Sequence, residues 1–397
     1  MENKIGKNAK LLIASDLIYT LTSVFIDTFL VAYLLKVTNE NITTISIYYI
    51  IIYSILSLGN VLIGKVLKKY SSKDKQILSL GIVTRALFIL FIVILGEKIA
   101  TNFILVALMY ACSETLYWCA HELIYIDVTT NDNRKKYVSI KKILSKIVSI
   151  ISPIILGTSI ELYSFNKIAI YVFVLSVIQI VITLFIKTEI KNDQKQKYSL
   201  KEFIKYVKDN KLKKIQKYSL SCIAYGIVES SISTLIIIIT IMTFKTSLNL
   251  GILTTIFSIC SMLSLILYNR FYNKNNAKII LLICSLVILS GVVGLLINIS
   301  KTNLIIYNFC YAITFCIFDV VYNTKKGDLV KECEIEKYRE EYIGYTSISI
   351  GLGRIIGYIL MLLVSFTTDI IYFKILLFIV TLFAPIYCYL IVQSLKD

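Results

Sequence analysis

The sequence predicts an all-α polytopic membrane protein: twelve transmembrane helices in two pseudo-symmetric six-helix bundles. Three observations predict it. The chain of 397 residues is 57% hydrophobic and 17% charged, whereas a soluble domain is near half apolar and a quarter charged. Apolar runs of about 20 residues, the length that crosses a bilayer, recur along the whole chain. The basic residues gather in alternate loops.

The apolar runs place helices at about 11–35, 44–67, 77–96, 101–126, 139–162, 167–187, 218–243, 248–269, 278–298, 302–325, 341–366 and 369–393. Lys4, Lys7 and Lys10 precede the first of them. That run is too long for a cleaved signal peptide and has no small-residue cleavage site after it, so it reads as the first membrane helix. With the N-terminus inside, 33 of the 42 Lys and Arg residues fall on the inner side. The outer side holds Lys36, Lys98, Lys167, Lys245, Lys301 and Lys374, and the helices keep Arg85, Lys146 and Arg354. Such asymmetry predicts both termini in the cytoplasm and a multi-pass protein of a bacterial cytoplasmic membrane. The net charge of +17 then faces anionic lipid headgroups rather than nucleic acid.

Nine cysteines show no paired spacing; eight lie inside apolar runs and Cys333 in a loop. With one histidine and no CxxC pattern, a structural zinc site is not expected. No Gly-x-x-x-x-Gly-Lys-Ser/Thr is present. Gly351-Leu352-Gly353 with Gly357 has no preceding strand, so close helix packing is expected there rather than a nucleotide. No cofactor and no enzymatic activity are expected, and energy comes from an ion or substrate gradient.

The longest hydrophilic stretch follows the sixth helix. It divides the chain into a bundle at 1–187, a cytoplasmic linker at 188–217 and a bundle at 218–397. Within the linker, Ser199 and Glu202 form a capping-box pair. Leu200, Phe203, Ile204 and Val207 follow at helical spacing, which predicts an amphipathic helix on the inner membrane surface. The halves resemble each other at an offset of 205 residues: Glu114-x-x-Tyr117 with Asp319-x-x-Tyr322, and Arg134-x-x-Tyr137-Val138 with Arg339-x-x-Tyr342-Ile343. Near that offset, Ser15 and Tyr19 match Ser221 and Tyr225. A duplicated six-helix unit is a known transporter architecture.

On this topology the chain resembles the Major Facilitator Superfamily over nearly its whole length. The family's loop motif after the second helix, roughly Gly-x-Leu-Ala-Asp-Arg-x-Gly-Arg-Lys, corresponds to Gly64-Lys65-Val66-Leu67-Lys68-Lys69-Tyr70-Ser71-Ser72-Lys73. Its basic character is kept, while Lys68 stands for Asp and Ser71 for the second Gly. The repeat copy reads Asn269-Arg270-Phe271-Tyr272-Asn273-Lys274. Ser152-Pro153-Ile154-Ile155-Leu156-Gly157 in the fifth helix is similar to the Gly-Pro-x-x-Gly stretch of the family's exporters.

An ionisable group inside a bilayer needs a reason, because insertion there costs a few kcal/mol. Asp27, Arg85 and Glu114 lie in the first half; Glu229, Asp319 and Arg354 lie in the second. The resemblance implies that helices one, four, seven and ten line a central cavity, and the four carboxylates sit on those four helices. Tyr110, Glu114, Tyr117, Trp118, His121 and Tyr125 recur at three- and four-residue spacing along the fourth helix. Desolvation raises the proton affinity of a carboxylate, so Glu229, Asp319, Glu114 and Asp27 are the candidate proton-coupling groups. Tyr110, Tyr117, Trp118, His121, Tyr225 and Tyr322 are the candidate cavity residues, with aromatic faces suited to apolar or cationic substrates. Arg85 and Arg354 are their charge partners, alternatively closed ion pairs of Arg85 with Glu114 and of Arg354 with Asp319. Asp16 and Asp127 are expected at the membrane interface.

The reading is a secondary transporter working by alternating access. Its expected form is a monomeric, proton-coupled exporter of a hydrophobic or cationic small molecule. The resemblance of Glu229 and Asp319 to carboxylates of Gram-positive drug/proton antiporters points the same way. A lipid or glycolipid flippase, an uptake symporter and a non-transporting scaffold or sensor stand as alternatives.

Overall fold

A computed structural model describes residues 6–69, 74–127, 131–187, 198–271, 276–366 and 370–395. Twelve helices among them are long and apolar enough to cross a membrane. They are α1 Lys7–Val37, α2 Ile42–Lys69, α3 Asp74–Leu95, α4 Phe103–Asp127, α5 Asn131–Tyr163 and α6 Phe165–Leu184, followed by α7 Lys213–Phe244, α8 Ser247–Phe271, α9 Ala277–Ile297, α10 Lys301–Glu332, α11 Arg339–Ser365 and α12 Ile370–Leu395. Several ends run beyond the expected apolar limits, most clearly in α5, which starts eight residues early, and in α10, which ends seven residues late, while α6 stops three residues short. Backbone hydrogen bonding carries a helix past its apolar run until a cap stops it. At the start of α10, the Ser300 hydroxyl is that cap and accepts from the Asn303 amide.

The linker contributes a short helix, Leu200–Asp209, capped by Ser199 accepting from the Glu202 amide at 3.2 Å. Part of its apolar face packs on protein. Phe203 and Val207 are buried, and the Phe203 ring meets Tyr338, Tyr342 and Tyr345. A helix therefore stands where the spacing places one, with Phe203 and Val207 buried against protein and Leu200 and Ile204 half-buried.

The chain divides into two compact units. The first comprises Met1–Glu40, Leu58–Tyr198 and Thr246–Thr255; the second comprises Asn41–Ser57, Ser199–Lys245 and Ile256–Asp397. Two stretches therefore group against chain order, and glycines explain both. In the first unit, a Cβ on Gly251 of α8 would lie 2.3 Å from the Pro153 carbonyl of α5, and one on Gly157 would lie 2.6 Å from the Ser247 carbonyl. The Thr255 hydroxyl donates to the Ile150 carbonyl beside them. The exporter-like Pro153–Gly157 stretch is thus the contact surface for α8, and α5 continues through the proline. In the second unit, a Cβ on Gly351 would collide with Ser57 of α2, and Tyr49 stacks on Tyr358 at 4.7 Å. The 351–357 glycines serve helix packing, as their apolar setting predicts. The loop-motif positions 70–73 and 272–274, and the side chains of Asp127 and Arg134, lie outside the described residues.

Candidate functional site

Both α1 and α7 widen into π-helical turns at mid-length, Phe25–Leu30 and Val228–Ile232. Such turns concentrate at functional sites. Each holds an acid, Asp27 or Glu229. In the second unit the side chains of Ser233, Tyr311 and Tyr358 serve the carbonyls of this segment: Ser233 and Tyr311 donate to the Glu229 carbonyl, and Tyr358 to that of Ser230.

In the first unit, Arg85 of α3 is fully buried and turned towards α1 and α4. It pairs with Glu114 and donates to Thr22 at 3.1 Å and Ser23 at 2.8 Å. Glu114 also accepts from the Tyr19 hydroxyl at 2.6 Å and the Trp118 indole at 3.2 Å. The Arg85 guanidinium lies 4.1 Å above the Tyr19 ring. The expected Arg85–Glu114 pair is therefore present, with its remaining donors and acceptors satisfied as a buried ion pair requires. Asp27 is exposed and accepts from the Tyr110 hydroxyl at 2.7 Å.

In the second unit, Arg354 makes a two-pronged pair with Glu229, Nε to Oε2 at 2.6 Å and Nη2 to Oε1 at 2.8 Å. Tyr53 lies under the guanidinium at 4.8 Å. The expected pairing of Arg354 with Asp319 is corrected here. Close approach of α7 and α11 at Gly226 and Gly353 puts Glu229 within reach of Arg354. Asp319, on α10, is exposed and accepts from Tyr225 at 3.0 Å and Asn323 at 2.8 Å.

The repeat is written in these contacts. Tyr19 bonds Glu114, and its counterpart Tyr225 bonds Asp319. Tyr19 stacks on Tyr117 at 3.9 Å and 6°, and Tyr225 stacks on Tyr322 at 4.5 Å and 2°. Of the expected cavity residues, Trp118 is 43% exposed, while Tyr110, Tyr117, Tyr225 and Tyr322 are buried. His121 is buried on Asp16 rather than open. Asp16, expected at the interface, is only 3% exposed; its charge is met by Lys141, and His121 lies within hydrogen-bond distance of it. Sequence reasoning passed over Lys141, although it stands 20 residues beyond His121 on the adjoining helix. Among the described residues, no three His, Cys, Asp or Glu side chains are grouped to hold a metal ion.

Twelve apolar helices, a repeated half and mid-helix ion pairs define a multi-pass membrane protein. The chain belongs to the Major Facilitator Superfamily, whose sequence profile matches residues 11–330. It is similar to the uncharacterized protein YqgE of Bacillus subtilis (strain 168), 23% identical over 367 residues that cover 91% of this chain and 83% of that one. Its fold is similar to that of the nucleoside transporter NupG, with a TM-score of 0.73, 14% identity and coverage of 99% and 100% of the two chains. It is also similar to a bacterial homologue of the iron transporter ferroportin in its inward-facing state, with a TM-score of 0.71, 12% identity and coverage of 98% and 99%. At these identities the likeness to the solved structures concerns the fold.

Proposed function

We propose that the chain is a proton-coupled exporter of a hydrophobic or cationic small molecule, working by alternating access. One observation carries this reading: each of α1, α4, α7 and α10 holds a carboxylate, and the four differ in how they are held. Glu114 and Glu229 are locked to arginines, whereas Asp27 and Asp319 are exposed and accept hydrogen bonds from tyrosine hydroxyls. Charge inside a bilayer is tolerated beside water, a partner or a bound cation. In this proposal Asp319 and Asp27 exchange a proton against substrate. Glu229 is the second acceptor, available when Arg354 is drawn away. The stacked aromatic faces of Tyr311 and Phe315 in the second unit suit a lipophilic cation. The bundles at 1–187 and 218–397 move against each other, joined by 188–217.

The test is transport of a panel of lipophilic cations in proteoliposomes, with and without an imposed pH gradient. Asp319→Asn and Glu229→Gln keep side-chain size and remove titration. Gradient-driven accumulation should fall at least about tenfold, which corresponds to ~1.4 kcal/mol of lost coupling, while downhill exchange persists. Full gradient-driven accumulation in both variants would refute the assignment.

The same reading places the protein, as a monomer, in the bacterial cytoplasmic membrane with both termini and the linker inside, against anionic headgroups, because 33 of 42 basic residues would then lie there. In a cysteine-free background, an impermeant thiol reagent added to intact cells should label Lys98→Cys and Lys245→Cys and leave Asn210→Cys unmodified. Labelling of the linker position from outside would reverse the topology.

A further inference from the structure

We propose that Asp16, His121 and Lys141 form a proton-operated latch fastening α1, α4 and α5, in which a proton taken up by His121 displaces Lys141 from a shared carboxylate. This site is separate from the coupling acids above and does not depend on their role.

The carboxylate of Asp16 lies 2.7 Å from His121 Nε2 through Oδ1 and 2.7 Å from Lys141 Nζ through Oδ2. Tyr117 donates to Oδ1 at 2.9 Å, and the Tyr137 hydroxyl stands 3.5 Å from Oδ2. Around these groups is an apolar cluster that includes Leu12, Ile13, Leu78, Ile82, Ala120 and Ile124. The titratable and charged groups facing the carboxylate, among the described residues, are Tyr117 and His121 from α4 and Tyr137 and Lys141 from α5. Beyond Tyr117, on the stack, stands Tyr19 of α1. The neighbouring contact with α6, Ser15 to Gln179 and Thr183, is neutral.

The proton inventory of this cluster sets the mechanism. Lysine ammonium only donates, and an imidazole nitrogen either donates or accepts. Lys141 Nζ stands 3.3 Å from His121 Nε2. The shorter contact to a carboxylate assigns the hydrogen to Nε2, so the imidazole donates to Asp16 and two donors face each other across 3.3 Å. A further proton therefore enters at Nδ1. It makes the ring cationic and sets two positive charges side by side on one negative group. The ring is buried in the stack with Tyr117, whereas the Lys141 side chain is 27% exposed on a flexible stem. Lys141 is the group that leaves, and its departure frees the start of α5 from α1.

The repeat argues that this is not mere architecture. The tyrosines recur in the second unit as Tyr322 and Tyr342, but Asp16 is replaced by Cys222 and His121 by Lys326. Tyr342 there is buried with its hydroxyl lacking a hydrogen-bond partner. The fold thus keeps the aromatic frame without the acid and the imidazole, and the first unit alone sets an imidazole between a carboxylate and a lysine.

Because the chain has one histidine, nitrogen-labelled histidine in the full-length protein in nanodiscs gives one imidazole signal. That signal and the amide exchange of α5 over 141–150, corrected for its intrinsic pH dependence, are followed between about pH 8 and pH 5. The imidazole should pass from the Nε2–H form to the cation, with exchange rising at least about tenfold in step. His121→Gln should hold exchange low at both ends, and Lys141→Gln should hold it high at both. Asp16→Asn, which keeps hydrogen bonding, should abolish the step. An imidazole that stays neutral throughout, or one that protonates while α5 exchange is unchanged, would overturn the latch.

Discussion

Arg85→Met should destabilise the protein by about 3–5 kcal/mol, the cost of leaving a buried charge without its partner. Arg85 is fully buried and holds Glu114, Thr22 and Ser23 together. Its loss strands a carboxylate that still accepts from Tyr19 and Trp118 but has no counter-charge. Hydrogen bonds from neutral donors offset only part of that. Arg85→Met combined with Glu114→Gln should recover most of the loss, because the amide keeps an acceptor for Tyr19 and removes the charge. Unfolding free energy in a fixed bilayer mimetic reads both. If Arg85→Met alone lies within about 1 kcal/mol of the wild type, the pair does not hold α3 and α4 to α1.

Gly353→Val should cost about 3 kcal/mol or somewhat more, near the upper end of overpacking effects. A Cβ on Gly353 would lie 2.1 Å from the Ile223 carbonyl, and reciprocally a Cβ on Gly226 would lie 2.4 Å from that of Ile350. Both obstacles are backbone, so no side chain can swing aside and α7 must part from α11. That separation also pulls Arg354 off Glu229, whose contacts are 2.6 and 2.8 Å. Gly353→Ala should show a smaller form of the same defect. Gly327→Ala is the control: nothing lies within 4 Å of its added Cβ, and removing a mid-helix glycine should stabilise by up to about 1 kcal/mol. Equal effects at 353 and 327 would mean that helix propensity, not close approach, governs these positions. Thermal unfolding separates the cases.

The helices were legible because a bilayer imposes one length and one composition on every span. Their caps were legible where a hydroxyl stood in place, as at Ser199. The Arg85–Glu114 pair was also legible, since two charges in apolar runs have few ways to be satisfied. The partner of Arg354 was not. Sequence reasoning paired it with Asp319, and the glycine contact between α7 and α11 sets it on Glu229 instead. The π-helical turns at Asp27 and Glu229 left no mark in residue pattern, because one extra residue per turn preserves composition.

Asp16 shows the same division from the other side. Its position near the start of α1, after three lysines, reads as an interface, and nothing in a local window opposes that. The cation that neutralises it lies 125 residues away on α5, and the imidazole 105 residues away on α4. The sequence by itself determined how many spans there are, which residues must be reconciled with an apolar medium, and that one half repeats the other at Tyr19 and Tyr225. Only the tertiary structure decided which charge meets which. Burial drives each span independently along the chain, whereas an ion pair depends on a few ångströms between helices far apart in sequence.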